Sequence, residues 1–129
     1  MVNSRDKGKR GELEFRDIVN KVFGYTKEEG VRRTPNSGGL CIKGDLIQLK
    51  GALQKYHWEV KNEAKPRLWA YIRQAESDCT FDKQAVVAIK CPGTNKFYCV
   101  IEATALLSLI KKTEVCGTIP VEGGNNGQV

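Results

Sequence analysis

The sequence has few of the residues that build disulfide-bonded, histidine-rich or membrane-spanning proteins. It has a single histidine, His57, and its five cysteines include no pair at C-x-x-C spacing. This usage indicates free thiols in a reducing compartment, and a zinc site would need ligands from distant segments. No apolar run is long enough to span a bilayer, and the polar, basic first ten residues do not form a secretory signal. We therefore expect a cytoplasmic protein with no membrane partner.

The composition is that of a small, basic globular protein. The 129 residues are 40% hydrophobic and carry a net charge of +6. This length predicts one domain over residues 1–121, followed by a flexible, Gly- and Asn-rich tail over 122–129. The excess of positive charge favours an anionic partner such as nucleic acid.

The hydrophobic periodicity predicts helices and strands in a mixed order. After a loose basic arm over residues 1–7, the predicted elements are helix 9–23, strands 31–34, 41–49 and 56–61, helix 68–79, strands 85–91 and 96–102, and helix 105–112. The first three strands can form a meander, and the second helix can cross over to place the fourth strand in the same sheet. The sequence thus predicts an α/β fold with a mixed central sheet flanked by helices.

The third predicted strand carries the most informative pattern. Side chains alternate along a strand, so Glu59 and Lys61 lie on the same face. Asp45 precedes this strand by a gap of hairpin size. If Asp45 approaches the strand, two carboxylates and a lysine converge. Such a set can hold a magnesium ion and help a water molecule attack a phosphodiester.

Each acidic residue also has a simpler explanation. Glu59 and Lys61 could form a cross-strand ion pair on a solvated face, and Asp45 could be a turn residue. Glu12 lies on or beside the apolar stripe of the first helix, where a carboxylate needs a partner, yet it could be an ordinary helix-surface acid. For Glu59 and Lys61 taken alone, the simpler explanation is favoured, and for Asp45 and Glu12 it stays open.

Taken together and in order, the residues resemble the PD-(D/E)xK nuclease superfamily, which has the restriction-endonuclease-like fold. Within it, the likeness is strongest to archaeal and phage Holliday junction resolvases, and it covers about residues 8–102. The matching segments are Lys9-Arg10-Gly11-Glu12, Arg32 to Gly38, Gly44-Asp45, Glu59-Val60-Lys61 and Gln74-Ala75. Gly44 stands where the family has proline, at a position that is not a ligand in the family.

This resemblance implies a magnesium-dependent endonuclease, with Mn²⁺ able to substitute and no small-molecule cofactor. The implied catalytic side chains are Glu12, Asp45, Glu59 and Lys61. The implied metal ligands are Asp45, Glu59, the backbone carbonyl of Val60, and Glu12. Lys61 would orient the attacking water or stabilise the transition state. Gln74 would position the water or the lysine amine, although it could equally be a surface residue of its helix.

Basic residues near the implied site are expected to contact DNA phosphates. They form two patches that would feed the same groove: Arg32, Arg33 and Ser37 in one, and Lys7, Lys9 and Arg10 in the other. Alternation along a strand lets one of the two arginines face the groove, and the resemblance favours Arg33. The arginines could also be surface charge, and Ser37 a turn former.

The resemblance further implies the resolution of four-way DNA junctions in a prokaryotic or phage-infected cell. A homodimer is expected, because two-fold symmetry presents two sites to two equivalent strands. The expected interface consists of apolar residues on the last helix: Leu106, Leu109 and Ile110. Two alternatives stay open. One is a virus-type replication-repair nuclease acting on duplex, flap or single-stranded DNA, and the other is a catalytically silent DNA-binding protein.

Overall fold

The computed structural model describes residues 3–35 and 43–115. Its elements are α1 (Ser4–Phe23), β1 (Arg32–Arg33), β2 (Leu46–Ile47), a 3₁₀ helix (Gly51–Lys55), β3 (Tyr56–Lys61), α2 (Leu68–Asp78), β4 (Gln84–Lys90), β5 (Phe97–Ile101) and α3 (Ala103–Val115). The predicted α/β class and the order of helices and strands are confirmed, and the 3₁₀ helix is the addition. The predicted tail over 122–129 lies outside the described residues.

The described strands form two small sheets. β1 and β2 pair antiparallel, while β3, β4 and β5 form a mixed sheet in that order. β3 runs parallel to β4, as expected for strands joined by the α2 crossover, and β5 runs antiparallel to β4. The predicted meander is therefore interrupted: in the part of the chain that the structure describes, one backbone hydrogen bond links the β2 segment to β3, from the N–H of Asp45, just before β2, to the Trp58 carbonyl at 2.8 Å.

β2 is much shorter than predicted. Two residues that flank it have left-handed backbone conformations, with φ of 90° at Gly44 and 60° at Gln48. An extended strand cannot continue through such angles, so the described part of the predicted strand pairs only at Leu46 and Ile47. The positive φ of Gly44 also excludes the proline found in the family, because proline fixes φ near −65°.

α1 begins earlier than the periodicity indicates. The Asn3 side chain caps the helix by accepting a hydrogen bond from the Asp6 N–H at 2.9 Å, and its amide donates to the Asp6 carboxylate at 3.1 Å. This reciprocal cap orders the first turn, so the predicted loose arm is wrong from Ser4 onward. The helix ends at Gly24, as predicted, where φ is 71°.

The helices cover opposite faces of the three-stranded sheet. On one face, buried side chains of α1 pack with those of β2, β3, β4, the 3₁₀ helix and the residue before β1: Phe15, Val19, Val31, Leu46, Leu53, Val60 and Ala88. On the other face, Tyr71 and Ala75 of α2 pack against Val87 of β4. Glu59 pairs in register with Val87, so the Glu59 side chain lies on the α2 face of the sheet.

α3 leaves its large apolar side chains exposed: Leu106, Leu107, Leu109 and Ile110. Among the described helices, none combines the length and apolarity needed to cross a membrane. Three cysteines of the described part, Cys79, Cys91 and Cys99, carry free thiols.

Two local contacts fix α1 against the rest of the domain. The Asn20 side chain bonds both backbone groups of Val31, accepting from its N–H at 2.8 Å and donating to its carbonyl at 3.1 Å. At the other contact, a Cβ on Gly11 would lie 2.6 Å from the Cβ of Asn62, just after β3. The absence of a side chain at Gly11 therefore allows the close approach that places Glu12 beside the sheet.

A substitution at Gly11 tests this close approach. Gly11→Ala is expected to lower the free energy of unfolding by about 1–3 kcal/mol, because the new methyl group forces the helix away from Asn62. Gly8→Ala in the same helix is the control, since a Cβ there meets no atom within 4 Å. The control should gain about 0.5–1 kcal/mol from the helix propensity of alanine. Urea denaturation measures both, and a similar gain in the two variants would contradict the contact.

Candidate active site

Asp45 is fixed by hydrogen bonds on three sides. Its carbonyl accepts from the Thr34 N–H at 2.9 Å, and its own N–H donates to the Trp58 carbonyl at 2.8 Å. Its carboxylate oxygen Oδ2 accepts from the Val60 N–H at 2.6 Å. Asp45 therefore joins the two sheets and holds its carboxylate against the edge of β3.

The backbone of β3 presents a further oxygen on this edge. The N–H and C=O of one strand residue face the same neighbouring strand. Because the Val60 N–H donates to Asp45, the Val60 carbonyl faces the same side of β3. A carbonyl and a carboxylate oxygen therefore lie along the same edge of the strand.

Glu59 is buried and has a specific partner. Its side chain is 6% exposed, and its Oε2 lies 3.2 Å from Nε2 of His57, whose side chain is 5% exposed. At this distance the imidazole N–H can donate to the carboxylate. The burial excludes the simpler explanation that Glu59 lies on a solvated strand face. The signal for His57 was available in the sequence, since residues two apart on a strand share a face.

Lys61 is held between two residues of α2. Its Nζ donates to Oε1 of Gln74 at 3.0 Å and lies 5.2 Å from the centre of the Tyr71 ring. Tyr71 is itself fixed, because its hydroxyl donates to Glu63. Sequence reasoning missed Tyr71, although it precedes Gln74 by three residues and therefore shares its helix face.

Glu12 and Arg33 form an ion pair with each other. The Arg33 Nε donates to the Glu12 Oε1 at 2.5 Å, and the two side chains are only 12% and 17% exposed. The sequence alone predicts different roles for the two residues, Glu12 in the acidic cluster and Arg33 in phosphate binding. In the structure the arginine supplies the partner that the half-buried carboxylate requires.

The acidic side chains affect one another's ionisation. Burial raises the pKa of Asp45 from its ordinary 3.8 to about 7, and the negative charges of Glu59 and Glu12 add to this effect. The Val60 N–H and the charge of Lys61 act in the opposite direction. Burial also raises the pKa of Glu12, and Arg33 opposes the rise. These mutual effects show that the side chains form one electrostatic cluster, which a cation would stabilise.

The acidic pair matches the preferences of a hard cation. Within residues 3–35 and 43–115, no three His, Cys, Asp or Glu side chains gather closely enough to hold a metal ion. Glu12 is paired with a permanent cation, Arg33, whereas Asp45 accepts from a backbone N–H and Glu59 contacts an imidazole, so Asp45 and Glu59 are the candidate metal ligands. Magnesium is commonly held by one or two carboxylates, with waters and substrate phosphates completing its shell. The pair fits this pattern, and the Val60 carbonyl adds a further oxygen of the same hard type.

The basic residues line two hollows in the part of the chain that the structure describes. Lys9, Arg32 and Arg33 line a cleft of about 810 Å³ on one side of α1. Lys7 and Arg10 line a smaller hollow of about 340 Å³ beside the turn between β4 and β5. Successive residues of a helix point in different directions, which separates Lys9 from Arg10, and the shared groove stays a prediction. Ser37 lies outside the described residues.

Comparison with known proteins places these residues in a family context. Residues 3–114 match the family described as "Phage putative PDDEXK endonuclease". A segment of 66 residues is 41% identical to Protein D14 of Escherichia phage T5, and the alignment covers 46% of this chain and 39% of that protein. No solved structure gives a significant match.

The raised pKa of Asp45 makes stability depend on pH. The unfolded chain ionises Asp45 near pH 3.8, whereas the folded protein keeps it protonated up to about pH 7. This contribution to stability is therefore complete below pH 3.8 and is lost as the pH rises through about 7. In metal-free buffer, Asp45→Asn should raise the free energy of unfolding by about 1–3 kcal/mol at about pH 8 and leave it unchanged below about pH 4.

Urea denaturation at both pH values measures this difference, with Asp82→Asn as the control. Asp82 is exposed and its pKa is lowered by a hydrogen bond from Thr80, so its replacement should bring no gain at the higher pH. An Asp45→Asn variant that is no more stable than the wild type at about pH 8 would contradict the raised pKa of Asp45.

Proposed function

We propose that this chain, which belongs to the phage PDDEXK endonuclease family, is a divalent-metal-dependent endonuclease that cuts branched DNA. The observation that carries the proposal is the electrostatic cluster that Asp45 forms with Glu59 and Lys61 of β3. Asp45 bonds the backbone of Val60, the residue between the other two, so the three groups share one short stretch of strand. Two carboxylates and an ammonium group are the parts needed for metal-assisted hydrolysis of a phosphodiester.

Asp45 and Glu59 would hold Mg²⁺ or Mn²⁺, with the Val60 carbonyl as a further ligand. When bound, the ion would lower the pKa of a water molecule and neutralise charge on the scissile phosphate. His57 would hold the Glu59 carboxylate in one orientation through the contact at 3.2 Å.

Lys61 would act on the charge that develops at the phosphate. Gln74 and the Tyr71 ring hold its amine in place, so little reorganisation is needed when the substrate arrives. Arg33 would contact a neighbouring phosphate, and its pairing with Glu12 keeps the planar guanidinium oriented in the absence of DNA.

Branched DNA is the substrate that the distribution of basic side chains favours. The two basic hollows lie on different sides of α1, one lined by Lys9 and Arg32 and the other by Lys7 and Arg10. Two separate surfaces can bind two arms of a branched molecule at once, whereas one linear duplex follows a single path. A four-way Holliday junction is the branched substrate that we propose.

A homodimer would present two such sites to two equivalent strands of the junction. We propose that the exposed apolar residues of α3 form its interface, with Leu106, Leu109 and Ile110 as members. A helix with this much exposed apolar surface gains stability when a second copy covers it.

Cleavage of matched substrates tests the proposed activity. With Mg²⁺, the wild-type protein should cut a synthetic four-way junction symmetrically and leave linear duplex intact, and a chelator should stop the reaction. Asp45→Asn and Lys61→Ala should each reduce the cutting rate by about 100-fold or more while the affinity for the junction stays near wild type. Glu76→Gln, on the exposed side of α2, is the control and should cut normally.

The other outcomes identify the alternatives. Equal cutting of junction, flap and linear DNA would indicate a general replication-repair nuclease instead of a junction resolvase. Tight, salt-sensitive binding without cutting in Mg²⁺ or Mn²⁺ would indicate a silent DNA-binding protein. Full activity of Asp45→Asn or Lys61→Ala would remove that residue from the active site.

Sedimentation equilibrium tests the dimer. The wild-type protein should sediment as a dimer, and the double variant Leu106→Glu/Ile110→Glu as a folded monomer, because two carboxylates cannot enter an apolar interface. Phe81→Glu is the control, since Phe81 is a fully exposed apolar residue outside α3 and its replacement should leave the dimer intact. A monomeric wild-type protein, or a dimer that survives both changes in α3, would contradict the proposed interface.

A further inference from the structure

The cleft of about 810 Å³ beside α1 concentrates positive charge well beyond the residues assigned to the active site. Six basic side chains line it: Lys9, Arg16, Lys21, Lys27, Arg32 and Arg33. Asp17 is the single acidic residue among those that line the cleft. The cleft is therefore a site for an anion, and its charge is spread along its length rather than gathered at one point.

Most of this charge is free to bind a ligand. Arg16 is paired with Asp17 at 2.7 Å, and Arg33 with Glu12 at 2.5 Å. The remaining four side chains have no acidic partner within 4.0 Å in the part of the chain that the structure describes, and all four belong to exposed residues: Lys9, Lys21, Lys27 and Arg32. A polyanion that covers these exposed, unpaired cations would lower the repulsion between them.

Contacts within the protein hold the walls of the cleft in place without a ligand. Asn20 bonds both backbone groups of Val31 and so ties α1 to the segment that leads into β1. Tyr25 stacks on Phe23 with ring centres 5.6 Å apart, and the Lys50 amine lies 4.9 Å from the centre of the Tyr25 ring. Because the cleft is already formed, a ligand loses little affinity to ordering of the protein.

Arg33 connects this cleft to the acidic cluster. It lines the cleft and at the same time donates to Glu12, whose charge acts on Asp45. A strand with one phosphate at Asp45 could therefore continue past Arg33 into the cleft. A small free anion would need a single close cluster of donors, whereas the amines here extend from Lys9 to Lys21 on α1, three helical turns apart.

We propose that this cleft binds the sugar-phosphate backbone of a nucleic acid strand beyond the cleaved bond, with Lys21 and Lys27 as contacts additional to those of the active site. The path of the strand rests on the proposed function, because Arg33 lies between the acidic cluster and the cleft. The contacts are to phosphates, so they contribute affinity and register without reading the base sequence.

Binding without cleavage provides the test. Fluorescence anisotropy in the presence of a chelator measures the affinity of a labelled single strand and of a labelled duplex over a range of salt concentrations. Lys21→Ala/Lys27→Ala should weaken binding of at least one probe, and the slope of log K against log salt should fall by about two, because two phosphate contacts are lost. Lys111→Ala/Lys112→Ala is the matched control. It removes the same charge from the exposed last turns of α3 and should leave affinity and slope near wild type.

Each result decides the proposal separately from the nuclease activity. If Lys21→Ala/Lys27→Ala weakens binding of only the single strand or only the duplex, the result supports binding in the cleft and identifies which form of DNA binds there. Wild-type affinity and slope for both probes in Lys21→Ala/Lys27→Ala, or equal losses in the α3 control, would overturn it even if the enzyme cuts DNA. If the wild-type protein does not cut DNA but its DNA binding is still weakened by Lys21→Ala/Lys27→Ala, the proposed nuclease activity is overturned and the proposed binding in the cleft is supported. If the double variant unfolds at a lower temperature than the wild type, the single variant Lys27→Ala replaces it in the assay, because Lys27 lies outside the described helices and strands. The single variant should lower the slope by about one.

Discussion

The hydrogen bonds between Asp45 and the edge of β3 are the interaction on which the rest of the structure depends. Two of them, to the Trp58 carbonyl and from the Val60 N–H, are made by one residue to alternate positions of one strand. They join the small sheet to the large one and bring a second carboxylate to the strand that carries Glu59. The fold thereby buries carboxyl groups close together, and their joint ionisation costs stability unless a cation is present.

α1 serves the acidic cluster and the basic cleft from two of its faces. Gly11 allows the helix to approach the end of β3, and Glu12 then lies close enough to interact with the cluster. Arg33 binds Glu12 from the neighbouring strand and also lines the cleft. One rigid helix thus fixes the distance between the residues proposed for hydrolysis and those proposed for DNA binding, and a loop would fix that distance less well.

The features that depend on local repetition could be predicted from the sequence. β3 has its predicted bounds, and the fold class and order of elements are confirmed, because strand alternation and helical periodicity are local patterns. The early start of α1 was missed although Asn3 and Asp6 have the spacing of a reciprocal cap. The pairing of Arg33 with Glu12, 21 positions away, could not be predicted, because it depends on how α1 packs against β1. The truncation of β2 likewise depends on backbone angles at Gly44 and Gln48 that tertiary contacts select.

A titration of the protein with Mn²⁺, followed by electron paramagnetic resonance in the absence of DNA, tests most directly whether the two carboxylates form one cation site. The account predicts that the wild-type protein binds the ion and that Asp45→Asn and Glu59→Gln each abolish this binding, whereas Glu76→Gln, on the exposed side of α2, preserves it. Binding that is unchanged in Asp45→Asn and in Glu59→Gln would contradict the central claim.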